Sequence, residues 1–91
     1  MTTTAVAHAL HGFIGSDFDW CLRITAVLGP RRTMHLMYEA VKIALSPDCP
    51  MTYDATRRRD AGEIFTRMLH SSQNVQPTEH YSIFKTMLRY Y

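Results

Sequence analysis

The chain has 91 residues, 46% of them apolar and 20% charged, with a formal net charge of +2. This length supports one hydrophobic core but not two, so we expect residues 1–91 to form a single globular domain; the composition excludes a disordered chain. No apolar run approaches the roughly 20 residues of a membrane-spanning helix, and the start of the chain does not resemble a signal peptide, so we expect an intracellular protein, nuclear or cytoplasmic.

The first third of the chain predicts two helices. Apolar residues recur at three- and four-residue steps from Thr4 to Phe13, which is typical of a helix. Ser16 is expected to be the N-cap of a second helix that runs to Leu28. Gly29 stands where a left-handed C-terminal cap belongs, and Pro30 can open the next helix because its missing N–H is not needed there.

The third predicted helix, Pro30 to Leu45, is the longest. One apolar stripe with helical spacing is expected to face the core. Its members are Met34, Met37, Tyr38, Val41, Ala44 and Leu45. Two prolines in the segment 46–50 end the helix. Cys21 is expected to be buried, whereas Cys49, which lies between these prolines, is expected to be exposed.

Two further helices are predicted in the second half. Asp60 is a good N-cap, and Glu63 completes a capping box for a helix that runs to about His70. The residues expected to face inward are Ile64, Phe65, Met68 and Leu69. A polar connector leads to a last helix from about Pro77 to Tyr90, with Tyr81, Phe84, Met87, Leu88 and Tyr91 facing inward. No segment alternates as a strand does. The expected fold class is all-α, a compact bundle of about five helices.

Three consecutive arginines, Arg57, Arg58 and Arg59, precede the fourth helix. Neighbouring side chains on a loop point in different directions, so all three cannot be buried. Each guanidinium is a planar, permanently charged fork that suits phosphate oxygens and stacks on bases. A solvated charge run is the alternative, and composition leaves both interpretations open.

Two segments carry a resemblance to a known family. Residues 24–33, ITAVLGPRRT, are similar to a helix-end pattern "(I/V)xx(V/L)(L/I)Gxx(K/R)", and residues 51–59, MTYDATRRR, resemble the pattern "MxxDGSRRR". Phe65 and the pair Ile83-Phe84 also fall on family positions. From roughly Leu10 to Phe84, the chain resembles the RNA-binding domain of the phosphorylated adaptor for RNA export (PHAX). The resemblance implies an all-helical domain that binds RNA, preferentially single-stranded, with little reading of sequence.

The chain departs from the family pattern at the start of the fourth helix. Where the family has Thr-Pro-Gly-Gly, this chain has Asp60-Ala61-Gly62-Glu63. Gly62 matches the first glycine of that pair, and two glycines at a helix start let a phosphate approach the free N–H groups. Two carboxylates there repel a phosphate and occupy those groups. The regions that export adaptors use to engage their protein partners lie outside this domain, so an export activity is not implied.

The RNA hypothesis predicts a basic surface with one aromatic side chain. Its residues are Arg57, Arg58, Arg59, Arg67, Tyr53, Arg31 and Arg32. Tyr53 would stack on a base, with a lid over the core edge as its alternative role. Arg67 could instead pair with Glu63 one helical turn away.

A second hypothesis is a stand-alone protein-interaction module, for example a viral or microbial accessory protein, built on the same scaffold with RNA binding weakened or lost. Six methionines and five tyrosines favour adaptable surfaces. An enzyme is the least favoured reading because the histidines are scattered and no phosphate-binding loop is present. No catalytic residue, cofactor or metal is expected.

Overall fold

The structure, a computed structural model, describes residues 2–49, 51 and 59–88, with side chains through residue 85. In this part the chain forms five helices: α1 Thr3–Ile14, α2 Phe18–Leu28, α3 Pro30–Leu45, α4 Ala61–Met68 and α5 Pro77–Leu88. No extended strand lies among these residues. The all-α prediction is confirmed. α1 packs chiefly on α2 and α3 chiefly on α4, and α5 closes the bundle against α2.

The ends of α2 show where local chemistry sets the helix boundaries. The N-cap is Asp17, whose carboxylate accepts a hydrogen bond from the Trp20 N–H at 3.3 Å. The prediction of Ser16 was wrong because the helix begins one residue later; the Ser16 carbonyl lies 2.6 Å from Nδ1 of His11. Gly29 has the expected positive φ of 89°, but its ψ of 150° is extended and not left-handed helical. A residue that precedes a proline favours this ψ, because the helical value clashes with the proline ring.

The core is built from large apolar side chains of all five helices. Phe65 is fully buried and is the largest of them, and Leu10, Ile24, Leu69 and Ile83 are also fully buried. Burial of Cys21, of Ile64 and Phe65 in α4, and of Leu69 at its C-cap is confirmed.

The exposure predicted for Cys49 was wrong. This side chain is 7% exposed, and its thiol donates a hydrogen bond to the Arg59 carbonyl at 3.3 Å. Tyr81 was expected to face inward, but it is 62% exposed, and Ile83 takes the buried position on α5.

The buried face of α3 also differs from the prediction. The side chains that face the core are Thr33, Leu36, Met37 and Ala40. Four residues of the predicted stripe lie on the outside instead: Met34 is 36% exposed, Tyr38 62%, Val41 36% and Leu45 79%. Apolar residues occupy most of the circumference of this helix, so its periodicity is compatible with two orientations.

An ion pair links α3 and α5 in the observed orientation. Arg32 donates to both carboxylate oxygens of Glu79, at 2.7 and 2.9 Å, and to the Asn74 carbonyl at 2.6 Å. Leu36, one turn along α3, lies on the same side as Arg32 and is therefore directed into the bundle. The hydrogen bonds from Arg32 and, second, from the Gln76 N–H hold the pKa of Glu79 below its usual value of 4.5.

We expect Arg32→Gln to lower stability at pH 7 by about 1 kcal/mol, since this pair is only partly shielded from water. A carboxylate whose pKa is lowered by folding adds stability above its ordinary pKa and loses it as the pH falls through the folded value. The difference in melting temperature between parent and variant should therefore shrink as the pH falls below about 4.5. Melting curves of both proteins between pH 7 and 3 measure this difference in melting temperature. A difference that stays constant down to pH 3 would show that the ion pair does not cause it.

Gly62 allows α4 to rest on the C-terminal end of α1. A Cβ at this position would lie 2.8 Å from the Phe13 carbonyl oxygen and 3.2 Å from the Ile14 Cα. Both are backbone atoms of a packed helix, so neither can move aside at low cost.

We expect Gly62→Ala to destabilise the protein by about 1–3 kcal/mol because the added methyl overpacks this junction. Gly12→Ala is the matched control: it also lies in a helix, but nothing lies within 4 Å of its Cβ position. That substitution should stabilise the protein by up to about 1 kcal/mol through helix propensity. Urea titrations measure the change in the free energy of unfolding for each variant. If this change has the same sign and size in both variants, a steric role for Gly62 is excluded.

Candidate nucleic-acid interface

The start of α4 is closed by its own carboxylates. The Asp60 carboxylate accepts the Glu63 N–H at 2.8 Å, and the Glu63 carboxylate accepts the Asp60 N–H at 3.1 Å, which confirms the predicted capping box. Gly62 faces α1 at close range rather than solvent. An anion at this helix start would meet two negative charges, so any phosphate contact here depends on the arginine side chains.

Arg59 and Arg67 line the same groove, which has a volume of about 230 Å³. Arg59 lies just before the N-cap of α4 and Arg67 in its last turn, so the short helix presents both on one side. The remaining lining residues are Ile43 of α3, Ile64 and Met68 of α4, and Ser71 and Asn74 of the connector that follows. The groove is therefore lined by three apolar side chains, two arginines and two polar residues.

The guanidinium of Arg67 is available to a ligand. Arg67 is exposed. Within the part of the chain that the structure describes, no ion pair joins it to Glu63, the partner considered from the sequence. The carboxylate of Glu63 is instead used in the capping box.

The structure does not bring Arg31 and Arg32 into this groove. Arg32 is held by Glu79 and Asn74 in the ion pair described above. Arg31 is exposed on α3. Arg31 lies twelve positions before Ile43 on the same helix. It is therefore about 18 Å from Ile43 along the helix axis and about 120° away around that axis. Arg31 is thus a separate cation, away from the groove.

Three predicted residues, Tyr53, Arg57 and Arg58, lie outside the described residues, as does the pair Asp54-Ala55. Sequence reasoning missed three of the groove residues: Ile43, Ser71 and Asn74. The polar character of the connector was a signal for the last two, but only tertiary packing places them beside Arg67.

Two histidines, His70 and His80, lie close together just beyond the C-terminal end of α4. Nδ1 of His70 lies 3.0 Å from Nε2 of His80, and both rings pack against Phe84. Burial and, second, the neighbouring His80 lower the pKa of His70, so this side chain adds no positive charge near neutral pH.

The Cys21 thiol is not activated. Burial and, second, the Asp17 carboxylate raise the pKa of the Cys21 thiol, so it stays protonated.

Among the described residues, no group of three or more histidine, cysteine, aspartate or glutamate side chains could hold a metal ion. None of the helices in that part is long and apolar enough to cross a membrane.

Comparison with known protein families gives one finding that covers most of the chain. Residues 7–89 match the family described as Phosphorylated adapter RNA export protein, RNA-binding domain. Neither the search of curated proteins nor the search of solved structures gave a match. The matched range includes both segments on which the resemblance was based. The chain therefore belongs to the family of the RNA-binding domain of the phosphorylated adapter RNA export protein.

Proposed function

We propose that this protein binds single-stranded RNA, with little sequence preference, through the arginines around the start of α4. Family membership supports RNA as the ligand. The observation that carries the proposal is the groove that Arg59 and Arg67 line together with three apolar side chains. The groove pairs charge for the RNA backbone with apolar surface beside it, and single-strand binding likewise combines a positive groove with surfaces for the bases.

The arginine forks would supply the affinity. In the proposal, Arg57, Arg58, Arg59 and Arg67 each contact a phosphate. Such contacts position the strand but carry no sequence information, so binding would be largely independent of sequence. Neutralising four phosphates of a single strand corresponds to a slope of about −3 for log K against log salt.

The apolar lining would supply a preference for single strands. Ile43 and Met68, which are partly exposed, offer a surface against which one base can lie. A base in a duplex is stacked between its neighbours and presents no free face, whereas a base in a single strand does. Ser71 and Asn74 add polar groups to the lining. Tyr53 would stack a further base, worth about 1–3 kcal/mol where it occurs.

Two of the arginines expected from the sequence are not part of the proposed surface. Arg32 is left out of the proposed surface because its guanidinium already has a carboxylate and a carbonyl as partners. Arg31 is also left out, because it lies about 18 Å along α3 and about 120° around it from the groove residue Ile43. The capping box keeps the backbone N–H groups of the α4 start out of the contact, so side chains alone hold the RNA and the affinity is modest.

We expect Arg57→Ala/Arg58→Ala/Arg59→Ala to weaken binding of a single-stranded oligonucleotide by about tenfold or more and to reduce the salt slope by about 2. The melting temperature should hardly change, because three adjacent loop cations cannot all be packed. Filter binding at two or more salt concentrations measures the RNA affinity and its salt slope. A melting curve of each variant gives the melting temperature.

Since Arg59 is partly buried, the double variant Arg57→Ala/Arg58→Ala separates charge from packing. Its matched control is Lys42→Ala/Lys85→Ala, which removes two exposed cations from other surfaces. The proposal fails if both doubles reduce RNA affinity equally, or if the triple variant unfolds at lower temperature while its RNA affinity is unchanged.

A further inference from the structure

The outer face of α3 carries an apolar stripe that the fold covers only in part. Met34, Tyr38, Val41 and Leu45 are exposed by 36, 62, 36 and 79%. Their spacing of four, three and four residues is that of the a and d positions of a heptad repeat, the pattern of a seam between two helices. Single exposed apolar residues are ordinary, but a continuous row along one helix marks an interaction site.

Two cations lie beside this stripe. Arg31 and Lys42 are exposed on α3. By helix geometry, each lies within about 40° of Tyr38, on the same side of it. The ammonium of Lys42 is 5.6 Å from the centre of the Tyr38 ring and 3.7 Å from the carboxylate of Glu39, the single acidic residue of α3. The face therefore combines an apolar row with two basic side chains.

This charge distribution selects the partner. Pairing of α3 with α3 of a second copy would bring the cations of both copies together, and such like-charge contacts disfavour association. The phosphate backbone of RNA would pair with the cations but leave most of the row of apolar side chains in water. An apolar helix with carboxylates beside its apolar residues would cover the stripe and would also pair with the cations of α3.

We propose that the outer face of α3 binds an acidic amphipathic helix of a partner protein, whose apolar residues follow heptad spacing and are flanked by aspartate or glutamate. Recognition would follow the helix-against-helix mode, with the stripe providing affinity and the cations setting partner choice. Tyr38 lies about 140° around α3 from the groove residue Ile43. The partner helix and the proposed RNA would thus occupy different sides of the same helix.

The probe is a synthetic three-heptad peptide with leucine at a and d and glutamate at e and g, which keep the peptide monomeric. A second peptide carries lysine in place of every glutamate. We expect the acidic peptide to bind with a dissociation constant on the order of micromolar and to weaken with salt, and the basic peptide to bind at least about tenfold more weakly. Fluorescence anisotropy of each labelled peptide measures both.

Tyr38→Ala and Leu45→Ser should each weaken the acidic peptide by about tenfold, and Lys42→Glu by several-fold. Tyr81→Ala is the matched control, because Tyr81 is a tyrosine on α5 with the same exposure of 62% as Tyr38; it should have no effect. Circular dichroism of each variant confirms that the helices are retained.

Four results would overturn the proposal. The two peptides could bind equally, which would mean a non-selective apolar surface, or neither could bind at about 1 mM. Sedimentation could show a dimer that Leu45→Ser dissociates, which would assign the face to a second copy. Single-stranded RNA could displace the acidic peptide and lose affinity in Tyr38→Ala, which would assign it to RNA.

Discussion

The close approach of α4 to the end of α1 sets the position of Arg59 and Arg67. It is possible because residue 62 has no side chain: a Cβ there would lie 2.8 Å from the Phe13 carbonyl oxygen. The capping box fixes the first turn of α4 immediately before this contact. Arg59 precedes the cap, Arg67 lies in the last turn, and both line one groove. The capping carboxylates at the same helix start would repel a phosphate.

A second constraint acts on α3. The ion pair between Arg32 and Glu79 links residues that are 47 positions apart and ties α3 to α5, while Thr33, Leu36, Met37 and Ala40 face the core. With this orientation, Ile43 contributes to the groove and Tyr38 faces solvent. One arginine that the sequence suggested as an RNA contact therefore has a structural role. Charge alone does not distinguish the two roles, because Arg31 and Arg32 are identical neighbours in sequence.

What the sequence predicted correctly depends on contacts between near neighbours. The capping box of Asp60 and Glu63, Pro30 at the first position of α3 and the positive φ of Gly29 are each decided within a few residues. The rotation of α3 is not, since apolar side chains surround most of that helix and its packing against the other helices decides which of them are buried. For the candidate site, Arg67 was recognisable as a cation near the arginine run, whereas Ile43, Ser71 and Asn74 join it only through packing. The roles of Tyr53, Arg57 and Arg58 remain predictions.

The most direct test is an NMR titration of the ¹⁵N-labelled protein with a single-stranded oligouridine, following the backbone amides and the arginine Nε–H signals together. The account predicts that the Nε–H signals of Arg57, Arg58, Arg59 and Arg67 shift with added RNA, along with the amides of Met68 and Ser71, and that the signals of Arg32 and of outer α3 hardly move. Shifts centred on the amides of Gly62 and Glu63, with those arginine signals unchanged, would contradict it, because the RNA would then bind the helix start that the structure shows to be closed.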